Sequence, residues 1–422
     1  MKAVRPYSTK GKILCYTIQC LCFFIALFRG KKWERAIEFE ENPRTMTFRD
    51  LVYFSYKYYY KSPLLPSADK IKKHFSEKSD NTADFKTLLT VSIGGDLMPY
   101  DLITPENTKH LWEEVGADFF GSDIVFANLE TPLDKDKKSN AVPEVMLNHM
   151  YFNTDETTFE VFSGHGIYKG YDILSIANNH SLDMGETGLE KTINFLERTG
   201  IKTVGAKKDK SDKDFQIIEV KGVKIGFVAY TYSLNEFLPA EGREWMVNYL
   251  PLNTADCDLN MILEQVTACK EAGAEFIICS MHCGNAYQAY PSAQTIALYE
   301  KVFKTCGVDV IAGGHPHNLQ PWKTYAYTDP FSGKAKTGFA IYSLADFIAY
   351  DIYTWCHLCA YLQLEIGRGA DGKILFRPRV KPMVMLREDG QLKLKYAERL
   401  LNSGQMTEEL KDIQILYDIC AS

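Results

Sequence analysis

From about residue 87 onward, short apolar runs alternate with longer amphipathic stretches. "TLLTVSIGGD" reads as a strand ending at Asp96, "SDIVFANLE" (122–130) as a second and "YDILSIANNH" (171–180) as a third. Between them "TKHLWEEVGADFF" has helical spacing, and so has "GETGLEKTINFLERTG", where Leu189, Ile193 and Leu196 share a face and Gly200 stands at the stop. "IKTVGA", "DFQIIEV" and "VKIGFVAYTY" read as further strands. "NTADCDLNMILEQVTACKEAG" then predicts a helix, "AEFIICSMHCG" a strand, "SAQTIALYEKVFKTCG" a helix and "VDVIAGGHPH" a strand. "KTGFAIYSLADF" and "CAYLQLEIG" are late strands. Strands that alternate with helices predict an α/β layered domain.

That domain is expected over 87–370. Residues 1–80 form an N-terminal extension, charged and tyrosine-rich toward its end ("FSYKYYYKS"), and the polar "SEKSDNTADFK" (76–86) reads as a linker. Residues 371–422 look like a tail of a strand and helices. With 46% hydrophobic residues the chain can bury a large core. Its 48 basic residues against 54 acidic ones leave no concentrated positive surface, which argues against nucleic acid as a partner.

Eleven cysteines, an odd number at irregular spacing and partly inside apolar runs, read as reduced thiols and not as a disulfide framework. Cys356 and Cys359 form a lone C-x-x-C, which without a second pair reads as structural. Near the amino terminus the run from Ile13 to Phe28 is uncharged and flanked by Lys and Arg on both sides. It is short for a spanning helix, which needs about 20 residues. No small-residue cleavage site follows it, and the balanced flanks give no orientation. Membrane association through residues 13–28, as an uncleaved anchor or an interfacial helix, stands beside a buried helix. The reduced thiols point to the cytoplasm, so localisation stays open.

The chemistry sits where the apolar runs stop. The first strand ends in Gly95-Asp96, the second in Asn128-Leu129-Glu130 and the third in Asn178-Asn179-His180. Later strands end in His282 and in His315-Pro316-His317. Each alone has a plain structural reading: a turn, a cap, a solvated carboxylate or a core histidine. In layered α/β sheets, however, ligands bind beyond the carboxyl ends of the strands. Five such ends that share one edge would deliver a mixed oxygen and nitrogen set. That set suits Mn, Fe or Zn and is too nitrogen-rich for calcium. Neither a nucleophile elbow nor a P-loop is present. His110, His149, His165 and His357 match no strand end and read as surface or core residues.

Taken in order, "SIGGDLMPYDLI", "DIVFANLETPL", "YDILSIANNHSLDMGETGLEKTINFLERTGIKTVGA", "HCGNAYQAYPSAQ", "VDVIAGGHPHNLQP" and "AIYSLADF" resemble the poly-gamma-glutamate capsule biosynthesis protein CapA family, a branch similar to the calcineurin-like metallophosphatases. The resemblance implies a four-layer α-β-β-α sandwich and one or two divalent metal ions. It implies that Asp96 and His317 hold a first metal, that Asn128 and Glu130 stand at the bridging motif, and that Asn179, His282 and His315 hold a second. His180 would be the proton donor or transition-state stabiliser.

Several positions depart from the pattern that the resemblance leads one to expect. Met98 replaces a histidine, Ala286 ends a loop where a glutamate is usual, Gly314 replaces a histidine and Asp346 replaces an asparagine. Asp346 can either add charge near the site or sit idle in the core. Two functions follow. One is a metal-dependent hydrolase or transferase acting on a phosphate ester or an acidic polymer. The other is a non-catalytic polymer-binding or assembly component. Poly-γ-glutamate itself enters only through the resemblance, since a net-negative chain offers a polyanion no long-range attraction.

Overall fold

The computed structural model describes residues 6–33, 36–61, 67–76, 85–146, 151–404 and 406–421. His149 and most of the expected linker lie outside these residues. Fourteen strands are present among them: β1 (Lys86–Leu97), β2 (Ile124–Leu129), β3 (Ile173–Ser175), β4 (Lys202–Val204), β5 (Gln216–Val220), β6 (Val223–Thr231), β7 (Phe276–His282), β8 (Val310–Gly314), β9 (Gln320–Thr328), β10 (Ala335–Ser343), β11 (Asp346–Ile348), β12 (Leu358–Arg368), β13 (Ile374–Glu388) and β14 (Gln391–Tyr396). The helices are α1 (Thr9–Arg29), α2 (Phe48–Tyr56), α3 (Asp69–Ser76), α4 (Gly116–Phe120), α5 (Glu156–Phe162), α6 (Gly185–Arg198), α7 (Asn260–Glu271), α8 (Ala293–Cys306), α9 (Ala397–Leu401) and α10 (Glu408–Ala421).

The strands form two sheets. One runs β14-β13-β12-β1-β2-β3-β4, with β11 pairing beside β1; the other runs β5-β6-β7-β8-β10-β9. The centres are parallel: β1, β2, β3 and β4 in the first sheet, and β6, β7, β8 and β10 in the second. Antiparallel strands close three of the four edges, and β4, at the fourth, pairs parallel with β3. The sheets pack face to face. Phe126 of β2 meets Phe227 of β6 with ring centroids 5.5 Å apart, and Phe276 of β7 meets Phe376 of β13 at 5.2 Å. On β6, Ile225, Phe227 and Ala229 point into that core while Val228 and Tyr230 pack under α7 and α8 on the other side. This two-sided burial is why the central strands read as continuous apolar runs. The layers are therefore helix, sheet, sheet, helix, as the family resemblance implied.

Some segments depart from the sequence expectation. The helical pattern over "TKHLWEEVGADFF" gives a helix only at α4. The carbonyls of Asn107 and Leu111 accept from the backbone N–H groups of Leu392 and Leu394, so they are not available to close helical turns. β9 and β13 were not anticipated, and β13 and β14 continue the first sheet beyond residue 371. The extension also packs on the domain. Gln19 of α1 donates from Nε2 to the Tyr59 carbonyl at 3.1 Å, and Tyr58 Oη donates to Asp351 Oδ2 at 2.9 Å. All eleven cysteines are unpaired, and every one but Cys20 is buried.

Candidate metal centre

The parallel strands of both sheets point their carboxyl ends the same way. β1 brings Asp96, the end of β2 brings Asn128 and Glu130, and the turn after β3 brings Asn178, Asn179 and His180. From the facing sheet β7 brings His282, and the turn after β8 brings His315 and His317. The site thus straddles two sheets. The backbone is shaped for it. Gly314 is fixed by space, because a Cβ there would lie 2.7 Å from Asp96 Oδ1 and 3.2 Å from His282 Nδ1. Nine non-glycine residues among those described have positive φ, and six of them (Glu41, Asn235, Tyr287, His315, His317 and Ala345) line or flank this centre. Each costs about 1–3 kcal/mol, and such strain collects at functional sites.

Asp96, Glu130 and His282 form a buried group whose ligand atoms lie within 4.8 Å of one another, and it could hold a metal ion. His282 Nε2 is 3.4 Å from Glu130 Oε1 and 2.7 Å from Asn179 Oδ1, and its Nδ1 is 3.7 Å from Asp96 Oδ1. Ligand atoms sharing one ion, with bonds of about 2.0–2.2 Å, stand roughly 3 Å apart. His282 can offer only one of its two nitrogens to an ion; that nitrogen and the carboxylates of Asp96 and Glu130, all within 4.8 Å of one another, make a donor set of the kind that holds a divalent ion. Both Glu130 oxygens are fully buried and have no hydrogen-bond partner among the described residues, and neither have the two nitrogens of His315. Buried polar atoms are nearly always partnered, so four such atoms in one centre are exceptional.

Asn128 shows a different face. Its Nδ2 donates to Asp96 Oδ1 at 2.8 Å, and its Oδ1 accepts from Asn178 Nδ2 at 3.1 Å. The Asn178 donor fixes that orientation, so the amide oxygen of Asn128 is already engaged. Asp96 Oδ2 also accepts the His315 backbone N–H at 2.9 Å. His180 lies in the same pocket, stacked on Phe152 at 4.0 Å. Its Nδ1 faces Asp183 Oδ2 at 2.6 Å, and its Nε2 is 4.0 Å from Glu130 Oε1. His317 Nδ1 meets Asp346 Oδ1 at 2.9 Å while its ring stacks on Tyr287. Asp346 is therefore a partner of a site imidazole and not an idle core residue.

Burial sets the electrostatics. It pushes Asp96 up to about 7, with the Glu130 charge adding to the effect. It also holds Glu130 above the usual carboxylate range. His282 and His315 are pushed down to about 4 by burial, so both are neutral imidazoles with a lone pair to give. For His317 burial acts downward too, but Asp346, Glu130 and Asp96 outweigh it and raise the group to about 10.

All candidate residues read from the sequence lie at or beside this centre, and Asp96, Glu130 and His282 are the three whose ligand atoms converge within 4.8 Å. Of the four histidines set aside, His110 is exposed, His165 Nε2 contacts the Thr108 carbonyl at 2.8 Å, and His357 Nε2 contacts the Asp351 carbonyl at 2.8 Å. Sequence reasoning missed Asp183, although it stands three residues after His180 in the same turn. It also missed Glu41 and Lys57, which nothing local marks.

An α/β sandwich with an acidic and imidazole centre at the strand ends defines a broad class. Within it, the chain matches the family described as bacterial capsule synthesis protein PGA_cap over residues 90–351, and it belongs to that family. Curated relatives include the capsule biosynthesis protein CapA of Bacillus anthracis, 26% identical over 62% of this chain, and the PGA biosynthesis protein CapA of Bacillus subtilis (strain 168), 23% identical over 69%. The matches span 59% and 71% of the relatives' own lengths. Among solved structures, the calcineurin-like phosphoesterase YfkN of Bacillus subtilis covers 78% of this chain and 96% of its own, at 16% identity and a TM-score of 0.36. A hypothetical protein from Thermus thermophilus covers 70% of this chain and 99% of its own, at 15% identity and a TM-score of 0.38. Likeness that remote has no bearing on function.

Proposed function

We propose that this protein is a metal-dependent hydrolase or transferase of capsule or poly-γ-glutamate assembly, acting on a phosphate ester or an acidic polymer. The observation that carries this reading is Glu130, a fully buried carboxylate whose oxygens have no hydrogen-bond partner among the described residues, facing His282 and His180. Asp96, Glu130, Asn179, His282, His315 and His317 would hold one or two divalent ions of the Mn, Fe or Zn class. Asn128 would be a ligand only if its amide turned; in its present hydrogen bonds it orients Asp96. A bound ion supplies Lewis acidity and an activated water. His180 would be the general acid or base: Asp183 holds its Nδ1, and Nε2 is left toward the pocket to give or take a proton. Phe152 fixes the plane of that ring.

A second reading, a polymer-binding or assembly component without turnover, is favoured by the closure of the centre. Asp96 and Glu130 are 0% exposed and His282 1%. Sealed metal sites are typically structural. The test is metal analysis of the purified full chain, followed by hydrolysis of a generic phosphodiester and of γ-glutamyl bonds, with His180→Ala and His317→Ala as controls. Metal-dependent turnover lost in His180→Ala supports the enzyme. Bound metal without turnover supports the assembly component, and absence of bound metal removes the basis of both metal assignments.

We also propose that α1 attaches the protein to a membrane surface. By length and composition it is long and apolar enough to cross one. Gly11, Cys15, Gln19 and Cys22 are buried along one face, while Ile13, Phe24, Leu27 and Phe28 stand exposed on the remainder. A helix docked by one face to its own protein suits an interfacial position better than a spanning one.

A further inference from the structure

Three imidazoles around the centre each face a buried carboxylate. For His180 it is Asp183 and for His317 it is Asp346, both on strand-end segments of the matched domain. For His315 it is Glu41, from the N-terminal extension, outside residues 90–351. Glu41 Oε2 lies 3.7 Å from His315 Nε2, roughly half an ångström beyond hydrogen-bond reach. Neither nitrogen of His315 has any hydrogen-bond partner among the described residues.

The carboxylate is held from several sides. Lys57 Nζ is 2.5 Å from Glu41 Oε1, with side-chain exposures of 0% and 1%. The Ala286 backbone N–H donates to Glu41 Oε2 at 2.7 Å, and Tyr232 Oη donates to the Glu41 carbonyl at 3.2 Å. Neighbouring carbonyls are tied as well: Asn285 Nδ2 donates to Phe39 and Asn253 Nδ2 to Glu40. Glu41 accepts a φ of 53° to sit there. The loop after β7, from Cys283 to Ala286, contains no acidic residue. The negative charge beside that loop comes from residue 41. A segment that needed only to dock could bury apolar side chains, which is often at least as stable as a buried ion pair.

We propose that Glu41 is a positioning residue for His315: its carboxylate keeps the proton on Nε2 and leaves the Nδ1 lone pair for a cation, so residues 36–61 complete the centre. The use of that lone pair rests on the metal reading above; the tautomer does not. The carboxylate–imidazole–metal arrangement is the usual way in which a second residue sets a ligand's tautomer.

The test uses the full-length protein carrying Glu41→Gln/Lys57→Met, a neutral pair of similar volume. Long-range proton–nitrogen spectra of the histidine rings of metal-free protein, with His315 assigned through His315→Asn, report its tautomer directly. Mn²⁺ and Zn²⁺ titrations report affinity. The expected result is a single Nε2–H tautomer in wild type, a mixed tautomer in the double variant, and metal affinity weaker by about ten- to hundredfold at nearly unchanged melting temperature. A double variant with wild-type tautomer and affinity but a lowered melting temperature would show Glu41 to be a tether only, and overturn the proposal. If the double variant does not fold, Glu41→Asp decides. It keeps the charge and the lysine partner but withdraws the carboxylate, and an unchanged His315 tautomer there overturns the proposal too. A wild-type protein with the Nε2–H tautomer and no metal affinity keeps the positioning role and removes the metal reading.

Discussion

Glu130→Gln isolates the electrostatics of the centre, because the side chain keeps its size and shape. In metal-free protein Glu130 is fully buried, without a hydrogen-bond partner among the described residues, and only 3.4 Å from a His282 ring that burial keeps neutral. Leaving a buried polar group unsatisfied costs about 1–3 kcal/mol, and more when it is charged. The substitution removes the charge but leaves a neutral amide in its place and takes a negative neighbour from His317, so metal-free Glu130→Gln should gain only the excess cost of a charge over a neutral group, about 1 kcal/mol over wild type. For a domain of this size 1 kcal/mol moves the melting midpoint by about 2 °C, so the expected rise is about 2 °C.

Metal reverses the order. A ligand present at 100 times its dissociation constant stabilises the native state by about 2.7 kcal/mol. Wild type should gain this on adding Mn²⁺ or Zn²⁺, and the variant should gain little. Differential scanning calorimetry in EDTA and then in excess metal reads both numbers. A variant that melts below wild type in EDTA would refute the reasoning about the orphaned carboxylate. Equal metal shifts in the two proteins would refute its place as a ligand.

Asp183→Asn keeps the fold contact to the Phe152 backbone N–H but loosens the hold on His180 Nδ1; turnover should fall about ten- to hundredfold with metal affinity unchanged, as steady-state kinetics and metal titration would show. His317 is raised from 6.5 to about 10, so its contribution to metal-free stability is fully present below about 6.5 and is lost as pH climbs toward 10, on the order of a few kcal/mol. Urea unfolding at pH 7.5 and 10 should show that loss in wild type and a smaller one in Asp346→Asn. Replacing the exposed Leu27 and Phe28 by serine should reduce binding to lipid vesicles about tenfold or more per residue in flotation assays, since each buries about 1.5–3 kcal/mol of apolar surface, while the melting temperature stays constant.

The strand-end residues were legible because a polar group at the end of an apolar run has few structural reasons to be there. Asp96, Glu130, Asn179, His180, His282, His315 and His317 all announce themselves in that way, and the two-sided burial of β6, β7 and β8 makes the runs long enough to see. Glu41 does not. It sits in "IEFEEN" among two other glutamates, and nothing local separates the buried one from its exposed neighbour Glu38 on a charged segment. β13 was hidden for another reason. Pro378 and Pro382 argue against a central strand, but β14 pairs only with Met383–Glu388, so both prolines lie on a stretch that is a sheet edge, where proline is tolerated. The short α4 was obscured by tertiary hydrogen bonds from β14, which periodicity does not encode.

The same physics explains why the centre can be both sealed and unsatisfied. Strained φ values at His315, His317 and Ala345, neutral imidazoles at His282 and His315, and a carboxylate without a hydrogen-bond donor among the described residues all raise the energy of the metal-free state. A sequence under no functional demand would relax each of these by a single substitution, such as a glycine at 315 or a glutamine at 130. Instead the surrounding residues hold the arrangement fixed: Asp183, Asp346 and Glu41 each face one ring, and the Asn128–Asn178 pair locks Asp96. Carboxylates placed behind imidazoles make those rings better donors at the face that points inward. A divalent cation is the simplest ligand whose charge answers Glu130, His282 and His315 together, which is why the ordering of stabilities with and without metal is the measurement on which the functional reading turns.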